Sequence, residues 1–168
     1  MWASSGEIHQ CDTFGAPTAG NGAFAAYFDN QMEERGIRVF NTLDTVPCGW
    51  KEETLKRVET IYQPELETPT AVVQKIDNVT SQTSELDYTQ PGLEYGAVGH
   101  SLSLSLLGSV DESLITAGDP EKVFELQTGY QHNDAYIILL ALELKTATIR
   151  QTASHPSDFR KSGKKGVN

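Results

Sequence analysis

Residues 8–41 change hydrophobic period twice, and few folds accommodate that. Ile8 to Phe14 reads as a short β-strand that stops at Gly15-Ala16-Pro17. A turn-rich stretch, Thr18 to Gly22, follows, in which Asn21 is a suitable helix N-cap. Phe24, Tyr27, Phe28, Gln31 and Met32 then fall at i, i+3, i+4, i+7 and i+8, which predicts a helix with one apolar face. Gly36 is a natural stop. Ile37 to Asn41 is again β-rich, with Arg38 near its start. Strand, helix and strand within about 30 residues make a βαβ unit, which implies a parallel pair with a right-handed crossover. The fold class that follows is α/β.

The remainder of the chain reads less evenly. Lys51 to Tyr62 predicts a second helix with Leu55, Val58, Ile61 and Tyr62 on its apolar side, ended by Pro64 and Pro69. The β-branched run Thr70 to Ile76 predicts a strand, and Thr83 to Gln90 a weaker one, closed by the turn Gln90-Pro91-Gly92. Leu102, Leu104 and Leu106 alternate with serines at strand period until Leu107 and Gly108 break it. Asp119 and Pro120 open a helix that carries Val123, Phe124 and Leu126 to Gly129. Asn133 to Leu144 predicts a last helix with Tyr136, Leu139, Leu140 and Leu144 inward. Two units result: a folded part, 1–149, and a polar basic tail, 150–168, expected to be disordered. No internal repeat is present.

Charge and composition exclude several functions. The 168 residues suit one domain, and 38% hydrophobic residues suffice for a core. A net charge of −10 makes nucleic acid an unsuitable partner. The longest apolar run, Ala135 to Leu142, falls far short of the roughly 20 residues that span a bilayer. The first residues lack the basic and apolar regions of a signal peptide, so a cytoplasmic location is expected. Cys11 and Cys48 are too few for a disulfide framework and read as two buried thiols. No phosphate-binding loop, dinucleotide fingerprint or Cys/His cluster is present, and no cofactor or metal is expected.

Three residues stand out chemically. Asp44 follows the strand end at Asn41, where the functional loops of a parallel sheet gather, and an acid there can orient a histidine. The plain alternative is a turn residue before Pro47. His132, in Gly129-Tyr130-Gln131-His132, carries an imidazole, the side-chain type that can take and return a proton near neutrality as a general base must. The alternative is a histidine merely packed at a helix start. Ser101, in Gly99-His100-Ser101-Leu102-Ser103, approaches the Gly-x-Ser-x-Gly nucleophile elbow. However, Ser103 replaces the last glycine, a strand pattern follows instead of a helix, and Ser101 comes after Asp44, contrary to the usual order of such triads. Asn78-Val79-Thr80 fits a glycosylation sequon by chance.

Three segments resemble one family. Residues 13–24, Thr-Phe-Gly-Ala-Pro-Thr-Ala-Gly-Asn-Gly-Ala-Phe, are similar to the Thr-Phe-Gly-x-Pro-x-x-Gly-Asn-x-x-Phe signature of the class 3 lipases, the fungal lipase-like α/β-hydrolases. Val39 to Pro47 resembles their following acid loop. Gly129 to His132, with Ala135 and Tyr136, resembles the histidine segment of bacterial members. The resemblance implies hydrolysis of carboxylic esters such as triacylglycerols, with Asp44 orienting and His132 acting as base. In that family the nucleophile elbow precedes the Thr-Phe-Gly signature by a helix, yet only twelve residues precede Thr13 here. The resemblance therefore implies a partial α/β-hydrolase fold. It is the C-terminal portion, with the serine, its elbow and the first strands absent from this chain. Little activity is expected of the chain alone. A lipid or ester substrate is expected if the site is completed, and self-association or pairing with an N-terminal half is the expected partnership. Two alternatives stay open, a small esterase using Ser101 and a non-enzymatic remnant.

Overall fold

A computed structural model of the chain describes residues 8–92, 101–116 and 118–153. Three parallel strands, β1 (Cys11–Phe14), β2 (Gly36–Asn41) and β3 (Leu102–Leu106), form one sheet in the order β1-β2-β3. Cys11 pairs with Gly36 and Phe14 with Val39; Ile37 pairs with Leu102 and Asn41 with Leu106. The expected βαβ unit is present, with helix α1 (Gly22–Met32) as its crossover. The Asn21 carboxamide caps α1 by accepting from the Phe24 N–H. A single 3-10 turn, Glu33–Arg35, then leads directly into β2.

Between β2 and β3 the chain builds helices α2 (Glu52–Arg57) and α3 (Thr70–Thr83). After β3 come α4 (Pro120–His132) and α5 (Asp134–Ala153). Asp119 caps α4 by accepting from the Glu121 N–H, with Pro120 in the first turn as expected. Cys48, Leu55, Val58, Tyr62, Ile76 and Phe124 form the main buried cluster; the rings of Tyr62 and Phe124 lie 5.1 Å apart. A smaller cluster, Val39, Leu106 and Tyr136, sits where α5 meets the sheet. Both cysteines are free, Cys48 buried and Cys11 half-buried. No helix among the described residues is long and apolar enough to cross a membrane.

Several local expectations are corrected. Thr70 to Ile76 is not a strand but the first half of α3. Its β-branched composition suggests a strand, yet Val72, Ile76 and Val79 recur at i, i+4 and i+7 and pack together on the main cluster. Tertiary burial overrides intrinsic preference here. Thr83 to Gln90 is also not a strand. It holds the end of α3, a 3-10 turn at Ser84–Leu86, a left-handed Asp87, and one isolated bridge from Tyr88 to Asn21. Helix α1 turns a different face inward: Ala25, Asp29 and Met32 are buried, while Phe24 and Tyr27 are 41% and 66% exposed. The Asp29 carboxylate accepts from the Gly92 and Ser101 N–H groups, and this polar bond fixes the helix rotation. Helix α4 runs through Gly129 to His132, so the histidine closes one helix instead of opening the next. Helix α5 continues to Ala153; the rest of the tail, residues 154–168, and His100 lie outside the described residues.

Candidate active site

The site forms at the carboxyl end of β2. After Asn41 the Thr42 N–H still bonds across to Leu106 O at 2.9 Å, so the ladder extends one residue beyond the strand. The Asn41 side-chain oxygen accepts from the Leu43 N–H (3.1 Å), and the Asp44 N–H bonds back to Asn41 O (3.0 Å). This tight return buries Asp44 beyond the strand end, where only 1% of the residue is exposed. Its Oδ1 accepts from the Val46 N–H at 2.9 Å, an Asx turn that leads into the 3-10 turn Val46–Cys48.

The other carboxylate oxygen, Oδ2, meets His132 Nδ1 at 2.9 Å and accepts the Tyr136 O–H at 2.9 Å. The phenol oxygen in turn accepts the Asn41 N–H at 2.9 Å. Asn133 interrupts the path between α4 and α5, and its carboxamide donates to Gly129 O. His132 ends α4 and Tyr136 begins α5, four residues apart, so the junction aims both rings at one oxygen. The two rings stand perpendicular, 6.5 Å apart. Asn41 also ties the strand end to α4 through Gln131, donating to its backbone oxygen and its Oε1. Gln131 is fully buried and donates onward to Ser109 O.

Gly15 completes the enclosure. Its φ of +56° is a left-handed conformation that glycine adopts freely. A Cβ at this position would stand 3.0 Å from Asp44 Oδ2, 3.0 Å from the Tyr136 hydroxyl and 3.1 Å from His132 Cε1. The backbone of the turn therefore closes over the pair, where a side chain could not.

Burial raises the Tyr136 phenol above its ordinary pKa; the Asn41 N–H opposes this and the Asp44 carboxylate adds to it. The phenol is thus held as a neutral donor to Asp44. With Nδ1 facing Asp44, the imidazole keeps Nε2 for proton exchange. The His132 side chain is 36% exposed while that of Asp44 is 0% exposed, as an oriented base beside an enclosed acid requires. Phe14, Asn133, Ile137 and Leu140 flank the histidine in an open groove.

The structure brings together Asp44 and His132 but places Ser101 elsewhere. Ser101 precedes β3 at the amino end of the sheet, five residues from Leu106, or about 16 Å at ordinary strand rise. Its hydroxyl is buried and faces Gly36. No Ser hydroxyl bonds to His132 among the described residues. Nor do three or more His, Cys, Asp or Glu side chains gather to hold a metal among them. Sequence reasoning missed the roles of Tyr136, Asn41, Gln131 and Gly15. A tyrosine one turn past the histidine and a glycine ending β1 were the available signals.

Residues 3–50 of the chain match the family model for class 3 lipases. A crystal structure of M37 lipase is similar to the chain at 28% identity with a TM-score of 0.67. The match covers 80% of this chain and 36% of the lipase chain, so this chain spans about a third of that protein's length. None of the curated proteins matches the chain. Three parallel strands flanked by helices, together with that neighbour, make this a partial α/β-hydrolase fold.

Proposed function

We propose that this class 3 lipase-like chain supplies the acid and base of a serine ester hydrolase, with Asp44 orienting His132. The observation that carries the reading is the 2.9 Å contact between an enclosed carboxylate and a half-exposed histidine at the carboxyl end of a parallel sheet. In this reading His132 Nε2 takes the proton of a serine hydroxyl as that oxygen attacks the ester carbonyl. The proton then goes to the leaving alcohol, and a water repeats the sequence on the acyl-enzyme. Asp44 stabilises the imidazolium formed in each half, and Tyr136 and the Val46 N–H hold the carboxylate still.

The serine comes from a segment other than those around His132. The free edge of β1 supports a place for it. This strand pairs only with β2 among the described residues, and Phe14 at its end is 54% exposed beside the histidine. Pairing there with a nucleophile-bearing half is part of the proposal, as are a lipid or ester substrate and a cytoplasmic location, which the two free thiols support.

The test compares two proteins with p-nitrophenyl butyrate. The chain alone should give no turnover above background. The chain preceded by a Gly-x-Ser-x-Gly strand and helix, encoded upstream or supplied from a related lipase, should turn over. His132→Ala should then lower the rate by at least about 10³-fold. Robust turnover by the chain alone, or turnover of the completed protein that survives His132→Ala, would overturn the reading.

A further inference from the structure

Arg38 is a half-buried cation with no carboxylate paired to it among the described residues. It projects from β2 on the sheet face opposite Val39 and the α5 cluster, because alternate strand residues face opposite ways. No carboxylate lies within ion-pair distance of it among the described residues, and its buried Nε has no hydrogen-bond partner. The guanidinium stacks 4.4 Å from the Phe40 ring centre. Burial lowers its pKa from the ordinary value, the cost of a charge held out of water. A donor held out of water is ordinarily paired, and the Arg38 Nε is not.

A cavity of about 90 Å³ opens between the sheet and α1 beside this group. Its walls are mostly apolar and include Pro17, Ala19, Phe24 and Phe28. Ser101, 3% exposed, also lines it, and the Ser101 hydroxyl is a second buried polar group with no partner. Two residues that each carry an unsatisfied buried donor thus line one greasy cavity. Asp29 is the nearest negative group on α1. Its carboxylate accepts the Gly92 and Ser101 N–H groups and does not line the cavity. On its other side Arg38 borders a second cavity of about 100 Å³, shared with Gln90, Arg57 and Asp44. Arg57 adds a positive charge there and Asp44 a negative one, whose oxygens are already engaged by His132, Tyr136 and the Val46 N–H.

We infer that this cavity is a binding site for a small aliphatic carboxylate, the anion held by Arg38 Nε and the Ser101 hydroxyl and the alkyl chain lying against Phe24 and Phe28. The volume holds roughly six water-sized groups, the size of a four-carbon acid such as butyrate. A carboxylate fits because it accepts from both donors and neutralises the charge, and its tail displaces water from apolar walls. The site is separate from the Asp44–His132 pair and stands whether or not that pair hydrolyses esters. It gives Ser101 a role the nucleophile reading could not, since the hydroxyl is far from the histidine but lines the same cavity as Arg38.

Cys11 also lines the cavity and reports on its occupancy. Alkylation of the full chain by iodoacetamide, followed at Cys11 by mass spectrometry, should slow about tenfold when butyrate is present at ten times its Kd. Butanol, which has the same chain without the charge, should give no such protection. Arg38→Gln should abolish protection by butyrate. Ser101→Ala, which removes only an unpaired oxygen, should leave the fold intact and weaken protection several-fold, so it carries the test if Arg38→Gln fails to fold. Equal protection by butanol, no protection by butyrate, or unchanged protection in the Ser101→Ala protein would each overturn the inference.

Discussion

The region around Tyr62 and the region around Phe14 treat their apolar side chains in opposite ways. In the first, α2, α3 and α4 enclose Tyr62 completely and bring Leu55, Val58, Ile76 and Phe124 in around it. In the second, Phe14 is 54% exposed, Leu104 44% and Ile137 71%, although they lie on or beside the sheet. The helical region supplies its own partners, whereas the sheet region offers a surface to something beyond it. The difference teaches that stability and the candidate site come from different parts of the chain. The helices hold themselves together, and the histidine stands at the border where the apolar surface opens.

The largest expected effect tests that division directly. Phe124→Ala should cost about 3–5 kcal/mol in urea unfolding, because it empties the enclosed cluster. Phe14→Ala should cost less than about 1 kcal/mol, because little of that ring is removed from water. Comparable losses would mean that the sheet region is as self-contained as the helices.

A smaller effect is expected at the border. Asp44→Ala should cost about 1–3 kcal/mol, since it strands the Tyr136 O–H and the Val46 N–H in a buried place. His132→Ala should cost less, because its ring is partly exposed. Thermal denaturation of the two variants side by side checks the order, and a reversed order would show that the histidine is held by more than the carboxylate.

The smallest effect separates the regions by pH. Burial raises both Tyr62 and Tyr136 above their ordinary pKa of 10.0; for Tyr62 the Thr128 hydroxyl opposes the shift, and for Tyr136 the Asn41 N–H does. The folded chain therefore keeps phenol protons that the unfolded chain releases. This stability is whole below about pH 10 and declines as pH rises toward the folded values. Tm measured between pH 8.5 and 11 should fall less steeply in Tyr62→Phe than in the parent chain. Tyr136→Phe should flatten the curve to a lesser degree, because Tyr136 lies nearer the surface. An equal flattening would erase the distinction between the two environments.

Local chemistry made part of this structure legible in the sequence. Asn21 and Asp119 cap the helices they precede because a short polar side chain can satisfy an N–H two or three residues on, and that is a property of neighbours. The βαβ unit was legible for the same reason. Helix α3 was not, because Thr70, Val72, Val73 and Ile76 favour strands intrinsically and form a helix only when Tyr62 and Phe124 are there to pack on. The inward face of α1 was illegible too, since its rotation depends on Asp29 reaching backbone groups 63 and 72 residues away. Asp44 and His132 were individually weak as signals, and the resemblance put them together. Tyr136 and Gly15 lay inside the resembling segments, but their roles did not show there, and Gln131 carried no signal of its own, because these contacts cross 90 or more residues or depend on a backbone turn.

Asp44 and His132 are also separated by 88 residues, and almost the whole helical cluster is strung between them. Closing so long a loop has an entropic cost that the pair's own hydrogen bond is too weak to offset. The intervening helices act as the spacer that sets where the two ends meet. Loosening that spacer anywhere along its length, even at Tyr62, lets the ends drift. Thermal loss of the Asp44–His132 contact would then follow the melting of the helical cluster, not events at the histidine.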